Sequence, residues 1–475
     1  MDGIDPERLA QALAVIAEVE ALPPEHPDAV ALRLAVGGVF KTVKERRRAE
    51  RQARIRAEDD AVTAATATGA PGRIDDETAG AFGLATQTAT DLAGILNRAR
   101  GCYICKVRYV EVDAFYHQLC PSCAAFNRAR RDAHADLTGK RALLTGGRAK
   151  IGMYIALRLL RDGAHTTITT RFPSDAVRRF SAMQDSADWL HRLRIVGIDL
   201  RDPAQVIALA DSVAAAGPLD ILINNAAQTV RRSPGAYSHL VAAETAPLPE
   251  GLLPDVMTLS GGVREHSKEL TNLAEHPLTP SALTELALIG GSAALDRVAA
   301  GNAIDAGGLV PDLAPRNSWT DVVDEVDPLE LLEVQLCNST APFLLVSRLR
   351  ASLAASPARR TYVVNVSAME GQFARGNKGP GHPHTNMAKA ALNMLTRTSA
   401  QEMFERDGIL MTAVDTGWIT DERPHPTKAR LHEEGFHAPL DLVDGAARVY
   451  DPIVRGEVGE DLYGVFLKDY KPAQW

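Results

Sequence analysis

The sequence has little of what marks secreted, membrane-spanning or nucleic-acid-coating proteins. Only 5 of its 475 residues are cysteine, and 5% are aromatic. No uninterrupted apolar run is long enough to span a bilayer, and the first residues lack the basic and then apolar pattern of a signal peptide. The 52 basic and 60 acidic residues give a net charge of −8, which argues against broad coating of nucleic acid. These absences predict a cytoplasmic protein that does not enter a membrane.

What the sequence does contain is enough apolar material for a large core. Hydrophobic residues make up 45% and charged residues 24%, as in ordinary globular proteins. The patterning predicts a helical segment over 1–60, a linker rich in Ala, Thr and Gly over 61–83, a cysteine module over 84–136, and an α/β domain over 137–475. An insertion of poor periodicity interrupts that last domain at about 229–317.

The first 60 residues are predicted to be helical. Asp5 can cap a helix that begins at Pro6, and apolar side chains recur at helical spacing from Leu9 to Val19. Between residues 41 and 57, eight lysines and arginines are opposed by only two glutamates. This basic stretch could contact a nucleic acid, a membrane surface or an acidic partner. The absence of interleaved aromatic residues favours a solvated helix face instead.

Four of the five cysteines form two CxxC pairs separated by fourteen residues. Two residues between thiolates let both sulfurs of a pair reach one ion from a tight turn, and two such pairs complete a tetrahedron with no open position. The spacing therefore predicts one structural zinc held by Cys102, Cys105, Cys120 and Cys123. His117 lies near enough in sequence to replace a thiolate, although four cysteines already fill the coordination sphere.

A helix predicted after the second cysteine pair would complete a treble-clef-like zinc finger. Arg128, Arg130 and Arg131 lie on this helix. They are candidates to contact phosphate or the acidic surface of a protein partner. The module is therefore a candidate site for recruiting a partner.

From about residue 137 onwards, apolar strands alternate with amphipathic helices. This alternation is typical of the α/β class, in which a doubly wound parallel sheet is covered by helices on both faces. The predicted strands are 141–145, 165–170, 195–200, 219–224, 361–366, 409–414 and 462–467. One long helix is predicted over about 329–354, and a less convincing one over 281–289.

A glycine-rich loop follows the first predicted strand at the point where a helix begins. Glycines let the backbone approach a pyrophosphate, and the helix N-terminus supplies unpaired N–H groups. Small or polar residues also follow the third and fourth strands at the same edge of the sheet. The residues expected to border a dinucleotide are Thr145, Gly146, Arg148, Lys150, Ile151, Gly152, Asp199, Leu200, Asn225, Ala226 and Ala227.

These motifs, in this order, resemble the short-chain dehydrogenase/reductase family from about residue 137 to the C-terminus. The resemblance rests on 144–146 with 151–152, 199–200, 221–227, 338–343, 364–367, 387–392 and 416–418. It implies an NAD(P)-binding Rossmann domain in which Asp199 contacts the adenine region and Asn225 to Ala227 border the cofactor. Thr416 and Gly417 match the family's cofactor-side loop after a later strand. The resemblance also implies a homo-oligomer.

The choice between NADP and NAD depends on the end of the second strand. An acidic residue there would bind a ribose 2′-hydroxyl, whereas this chain has Arg171, and an arginine suits a 2′-phosphate. Arg148 and Lys150 add positive charge on the same side. NADP is therefore favoured over NAD, unless Arg171 only lies on a solvated turn.

The family's catalytic residues are only partly present. The resemblance implies a tyrosine acid or base, a lysine four residues later, a serine and an asparagine. Lys389 and Asn338 match the lysine and the asparagine, and Lys389 would also hold the nicotinamide ribose. Thr385 occupies the tyrosine position and Ala368 the serine position, with Ser367 one residue early. A threonine hydroxyl titrates far above a phenol, so Thr385 cannot replace the tyrosine unaided.

Histidine is the obvious replacement for the tyrosine because it titrates near pH 6.5. His384 adjoins Thr385, and His382 lies on the same Gly/Pro-rich loop. The first hypothesis is an NADP-dependent oxidoreductase in which His384 transfers the proton, directly or through Thr385, supported by Lys389 and Asn338. The alternative is a nucleotide-binding scaffold or sensor with altered catalysis that recruits a partner through its zinc module.

The insertion begins where the cofactor crevice is expected. It lies within the 113 positions from Asn225 to Asn338, after the central strand. It could be a lid for a large substrate, an oligomer contact or a packing arm. Tyr237 could fold from it over the pocket, or it could be an ordinary surface or core tyrosine.

Overall fold

The computed structural model describes residues 3–71, 73, 91–232, 234–259, 309, 316–376, 378–420 and 422–475. The described helices are α1 Pro6–Glu20, α2 Pro27–Ala64, α3 Pro121–Arg131, α4 Lys150–Arg161, α5 Pro173–Ser181, α6 Ser186–Trp189, α7 Pro203–Ala215, α8 Ser238–Thr245, α9 Pro328–Gln335, α10 Ala341–Ala354, α11 Pro383–Asp407, α12 His425–Glu433 and α13 Leu442–Glu457. The described strands are β1 Leu92–Gly101, β2 Arg108–Asp113, β3 Arg141–Leu144, β4 His165–Thr170, β5 Leu193–Gly197, β6 Ile221–Asn224, β7 Asp255–Thr258, β8 Thr361–Ser367, β9 Ile409–Asp415, β10 Phe466–Lys468 and β11 Lys471–Ala473.

Within the described residues, a nine-stranded sheet runs in the order β11-β10-β9-β8-β6-β3-β4-β5-β7. Neighbouring strands are parallel except at the β10–β11 edge. The direction of winding reverses at β3, which lies between β4 and β6. In doubly wound folds a ligand crevice lies outside the carboxyl ends of the strands at such a reversal. The predicted α/β architecture is confirmed.

The central strands are largely apolar on both sides, as is typical of a parallel sheet that helices cover on both faces. β6, β8 and β9 are buried at every residue. Helices α4 and α13 supply Ile155 and Val449 to the core on one face. Helices α7 and α10 supply Leu209 and Leu345 to the core on the other face.

The cysteine module consists of an antiparallel ribbon, β1 and β2, followed by α3. Tyr116 and Leu119 belong to the same hydrophobic core as Ile155 of α4. The Tyr116 hydroxyl also donates a hydrogen bond of 2.6 Å to Asp444 of α13. The module is therefore packed directly onto the α/β domain.

The segment predicted to be a linker is packed in its first part. Helix α2 continues to Ala64, and Thr68 is buried, with its hydroxyl donating to the Phe115 carbonyl at 2.9 Å. Arg73 donates to backbone carbonyls of Ala438 and Leu440 in the α/β domain. The small side chains of this segment fit closely against the cysteine module, which is why they show no apolar periodicity. Residues 74–83 lie outside the described residues.

Two other predictions of secondary structure differ from the structure. The single helix predicted over 329–354 is α9 and α10 joined by a π-helical turn, Leu336–Thr340. The last predicted strand, 462–467, begins later, as β10, and is followed by β11. The insertion adds the edge strand β7, whose four residues are mostly exposed and show no apolar alternation. The predicted helix 281–289 lies outside the described residues.

Helices α1 and α2 make few contacts with the rest of the chain. Helix α1 has no buried residue, and α2 buries only Ala29 and Asp59. Asp59 anchors the far end of α2 because its carboxylate accepts a 2.6 Å hydrogen bond from the Asn97 backbone. Among the described residues, no helix combines the length and the apolar composition that crossing a bilayer requires.

Candidate active site and metal centre

The glycine loop lies between β3 and the N-terminus of α4. Gly146 has a φ of +71°, and a Cβ there would lie 2.9 Å from the Cα of Ala226, so the loop requires glycine at this position. Asn225 fixes the loop, because its Nδ2 donates to the carbonyls of Thr145 and Gly146 at 3.0 and 3.1 Å. Asn225 therefore supports the backbone that would hold a phosphate.

A crevice of about 380 Å³ opens at the carboxyl ends of these strands. Eleven of the predicted cofactor residues line it: Gly146, Arg148, Lys150, Ile151, Gly152, Arg171, Asp199, Leu200, Asn225, Ala226 and Ala227. A twelfth, Thr145, lies beneath the glycine loop, where its hydroxyl accepts a hydrogen bond from the Asn225 backbone. Cys337 also lines the crevice. Three residues predicted for cofactor contact, Thr416, Gly417 and Lys389, lie outside this lining.

Arg171 is held by two aromatic rings at one end of the crevice. Its guanidinium carbon lies 4.9 Å from the ring centre of Tyr237 and 5.6 Å from that of Phe172. These two rings stack on each other at 6.0 Å. The described start of the insertion therefore reaches this end of the crevice and orients the arginine. Arg171 does not lie on a solvated turn.

Other charges near Arg171 are paired within the chain. Arg148 forms an ion pair of 2.5 Å with Asp175, the acid that also binds Arg179. Asp199 forms an ion pair of 2.7 Å with Arg201. Each of these side chains is therefore oriented before a cofactor arrives.

Asn338 and Lys389 are both buried behind the crevice. The Asn338 side chain exchanges two hydrogen bonds with the backbone of Gln228, at 2.7 and 2.8 Å, and it lies in the π-helical turn. The Lys389 ammonium donates to the Val366 carbonyl at 2.8 Å. Burial lowers the pKa of Lys389 to about 8, partly opposed by the nearby Cys337 and Glu370.

His384 and Thr385 are buried beside Lys389 on helix α11. Both ring nitrogens of His384 and the Thr385 hydroxyl are buried without a hydrogen-bond partner among the described residues. Nε2 of His384 lies 4.0 Å from the carboxylate of Glu330, and Glu330 in turn accepts a hydrogen bond from Ser318. Burial lowers the pKa of His384, with Glu330 opposing that shift. The imidazole is therefore neutral near pH 7.

Ser367, at the end of β8, is bonded to a side chain of α11. Its hydroxyl donates a 2.5 Å hydrogen bond to Asn393, one helical turn beyond Lys389 on α11. The Asn393 amide then donates to the Gly371 carbonyl. In this geometry Ser367 ties β8 to α11.

The segment just after the insertion, residues 318–321, covers the start of α11. The Trp319 ring stacks on the His382 ring at 4.0 Å between centres and an angle of 8°. The His382 backbone also donates to the Asp321 carbonyl at 2.9 Å. Tyr237, in the described start of the insertion, therefore contacts one end of the site, and Trp319, just after the insertion, contacts the other.

The four clustered cysteines come together as the spacing predicts. Their sulfur atoms all lie within 4.8 Å of one another. Such a group of four thiols fits the tetrahedral sulfur coordination of zinc. His117 is directed elsewhere, because its Nδ1 is 2.8 Å from the Thr68 hydroxyl. The fifth cysteine, Cys337, lies in the crevice and not in this cluster.

The cysteine module also touches the loop that follows β9. Tyr103 lies between Cys102 and Cys105, and its hydroxyl accepts a 2.9 Å hydrogen bond from the Trp418 backbone. Trp418 follows Thr416 and Gly417, the pair predicted to contact a cofactor. The first cysteine pair therefore positions this loop.

The arginines of α3 bind this chain's own acids. Arg128 pairs with Asp113, Arg130 with Asp451 at 2.9 Å, and Arg131 with Asp441 at 2.6 Å. The sequence predicted an external phosphate or an acidic partner for these arginines. In the structure, helix α13 and its N-terminal flank provide acidic partners for two of them, because α3 packs against α13.

Comparison with known proteins identifies the family. Residues 140–243 match the sequence profile of the short chain dehydrogenases. An uncharacterized protein of Acanthamoeba polyphaga mimivirus is 30% identical over 369 residues, which cover 74% of this chain and 71% of the viral protein. The chain belongs to the short-chain dehydrogenase/reductase family.

Other matches cover shorter stretches or are more distant. A protein of Streptomyces antibioticus named "Probable oxidoreductase" is 40% identical over 91 residues, 19% of this chain and 30% of that protein. A solved short chain dehydrogenase from Burkholderia cenocepacia, in complex with NADP, is 20% identical with a TM-score of 0.43. That match covers 70% of this chain and 97% of the other.

Several residues of the candidate site were not predicted from the sequence. Glu330 and Trp319 border the histidines, yet each stands in a region without a recognisable motif. Gln228 pairs with Asn338 across 110 positions, which no local pattern signals. Tyr103 could have been noticed because it stands between two predicted zinc ligands.

Proposed function

We propose that this dehydrogenase transfers hydride between NADP(H) and a carbonyl or hydroxyl substrate, using a non-standard proton-transfer group. The observation that carries the proposal is the buried cluster of His384, Thr385 and Lys389 behind the cofactor crevice. Polar atoms left without partners inside a protein are costly, and they are found where a ligand supplies the missing bond.

His384 suits proton transfer because it is neutral near pH 7. Bound NADP(H) would accept or supply the hydride. In the oxidising direction, His384 would take the proton of the substrate hydroxyl, directly or through Thr385. Glu330, 4.0 Å from Nε2, would stabilise the imidazolium that forms. Reduction of a carbonyl returns both the hydride and the proton.

Replacing His384 by alanine is expected to lower kcat/KM by about 10²- to 10⁴-fold, the usual contribution of general acid–base catalysis. The assay follows NADPH oxidation with a panel of aldehydes and ketones, and NADP⁺ reduction with the matching alcohols. Because burial lowers the pKa of His384, alcohol oxidation should fall only as the pH drops below about 6.5, the ordinary histidine value.

The matched control for His384 is His134→Ala, which removes an exposed histidine bonded to Asp162 on the far side of β3. Its rates should equal those of the wild type. Equal rates for His384→Ala would remove His384 from the mechanism. Thr385→Val, which deletes only the hydroxyl, separates direct from relayed transfer.

Arg171 supports NADP as the cofactor. Phe172 and Tyr237 hold its guanidinium at the end of β4, where a 2′-phosphate would lie. Arg171→Ala is expected to weaken NADPH binding by about 10- to 100-fold, since a hydrogen bond to a charged group contributes roughly 1.5–3 kcal/mol. NADH binding should change less than threefold.

Isothermal titration of both cofactors measures this selectivity. Arg161→Ala is the control, because Arg161 pairs with Asp185 away from the crevice. An equal loss of NADPH and NADH affinity in Arg171→Ala would contradict a 2′-phosphate contact.

The segment that connects the insertion to α9, residues 316–327, would act as a lid on the substrate side. His384 is only 1% exposed and Thr385 2%. A substrate reaches them only when residues 316–327, which place Trp319 against His382, move aside. A long cover of this kind suits a large substrate.

A second candidate function is a nucleotide-binding scaffold with altered catalysis. The observations that favour it are the threonine at the tyrosine position and the engagement of Ser367 by Asn393. Cofactor titration does not distinguish the two functions because both predict binding. Turnover with any substrate of the panel favours the enzyme, and binding without turnover favours the scaffold.

One zinc ion bound by Cys102, Cys105, Cys120 and Cys123 completes the proposal. With four thiolates around it the ion has no open position, so its role is structural. It would hold the cysteine module in the shape that docks α3 on α13 and Tyr103 on the loop after β9.

A further inference from the structure

The N-terminal hairpin, residues 3–57 of α1 and α2, exposes an unusual amount of apolar surface. Ten of its large apolar side chains are exposed: Ile4, Leu9, Leu13, Val15, Ile16, Val30, Leu34, Val36, Val39 and Phe40. At roughly 100 Å² each they offer on the order of 1,000 Å², close to the ~800 Å² that each partner contributes to a standard interface. Single chains rarely leave so large an apolar patch uncovered.

The exposed side chains are arranged for contact with another helix. Leu9, Leu13 and Ile16 follow one face of α1, and Val36 and Phe40 follow one face of α2. Long helices in proteins derive most of their stability from packing of such a face. Neither face is covered by the described residues.

Two adjacent glycines mark a point of close approach on α2. A Cβ added at Gly37 or Gly38 would meet nothing within 4 Å among the described residues. Each glycine inside a helix costs about 1 kcal/mol relative to alanine. Nothing among the described residues requires them, whereas a second helix crossing at this point would.

The charges of the hairpin are self-complementary. Residues 3–28 carry six carboxylates and one arginine, a net charge of −5. Residues 41–57 carry eight basic and two acidic side chains, a net charge of +6. Between these two segments, Arg33 is the one charged residue of 29–40. The acidic and basic parts therefore flank an almost uncharged apolar middle.

We propose that this hairpin pairs with the hairpin of a second copy of the chain, through an antiparallel crossing of the two α2 helices at Gly37–Phe40. A two-fold axis there lays α1 of one copy, about 22 Å long, beside residues 41–56 of the other, about 24 Å long. The acidic segment of each copy then meets the basic segment of its partner. Apolar contact supplies most of the affinity, and the charges set the antiparallel orientation.

Light scattering during size-exclusion chromatography of the full chain tests the pairing. The wild type should contain an even number of chains, and Leu34→Glu/Phe40→Glu should have half its mass. The helix content and NADPH affinity of that variant should be unchanged, because both side chains are exposed. Val323→Glu/Phe373→Glu, equally exposed on the α/β domain, should keep the wild-type mass. A monomeric wild type, or an unchanged mass in the hairpin variant, would overturn the proposal.

A charge-swap experiment distinguishes a second copy from any other occupant. Glu7→Lys/Glu18→Lys and Arg47→Glu/Arg51→Glu should each weaken self-association at least tenfold, because like charges then face each other. Mixing the two variants should restore the wild-type mass, since each altered segment meets its complement. Failure of the mixture to associate, with a nucleic acid or anionic vesicles bound by the basic segment instead, would refute pairing between copies.

Discussion

Replacing Cys120 by serine is expected to lower the melting temperature by about 10 °C and to reduce the zinc content from about one ion per chain to near zero. Structural zinc contributes folding free energy directly, and weakening it by roughly 3–5 kcal/mol corresponds to such a shift at about 2–4 °C per kcal/mol. The four sulfur atoms lie within 4.8 Å of one another and would bind the same ion. Loss of one thiolate would therefore leave the ion incompletely coordinated. Elemental analysis and thermal unfolding measure the two effects.

The effect of zinc should extend to the cofactor. Tyr103 stands between Cys102 and Cys105 and binds the Trp418 backbone, so an unfolded cysteine pair would release the loop after β9. Chelation should therefore weaken NADPH binding, and Tyr103→Phe should do so without loss of zinc.

Cys337→Ser is the control for the zinc prediction. Cys337 lies in the crevice, away from the cluster, so its replacement should leave the zinc content unchanged. A fully folded, metal-free wild-type protein would contradict the structural role of the metal.

Replacing Lys389 by methionine is expected to lower kcat by about 10²- to 10⁴-fold. Methionine keeps most of the volume of the side chain but removes the charge and the hydrogen bond to the Val366 carbonyl. Thr385 lies one helical turn before Lys389 on α11 and both side chains are buried, so the ammonium charge would act on a proton transfer at Thr385. Steady-state kinetics with the carbonyl panel measures the loss.

The pH dependence gives an independent readout for Lys389. Burial lowers its pKa to about 8, so it is charged below that pH and neutral above it. If the charged form is required, kcat/KM of the wild type should fall as the pH rises through about 8. Lys389→Met should lack this alkaline fall.

Lys140→Met is the matched control, because Lys140 pairs with Glu457 at a distance from the crevice. It should retain wild-type kcat. A Lys389→Met enzyme with unchanged kcat and an unchanged pH profile would show that Lys389 has only a structural role.

The fold and much of the cofactor crevice could be predicted from local patterns. Continuous apolar strands such as Ile221–Asn224 indicated a parallel sheet, and the glycines at 146 and 152 indicated a loop at the carboxyl edge. The CxxC spacing indicated that four sulfur atoms would lie close together, and they do. Each of these signals lies within a short stretch of sequence, where spacing determines geometry.

The partners of individual side chains could not be predicted in this way. Arg131 on α3 resembles a surface arginine in sequence, yet it binds Asp441, 310 positions later. Ser367 stands one residue from the catalytic serine position and is instead bonded to Asn393. Such pairings depend on how helices and strands pack against each other, and the apolar periodicity of a sequence does not indicate this packing.

The sequence by itself determined the α/β class, the family resemblance and the cysteine cluster, and it predicted Thr385 and Ala368 at the positions of the family's tyrosine and serine. Only the tertiary structure decided that the cysteine module shares the core of the dehydrogenase, that Tyr237 orients Arg171, and that His384 and Thr385 are buried beside Lys389. The physical reason is that motifs arise from neighbours along the chain, whereas burial, ion pairing and pKa arise from neighbours in space.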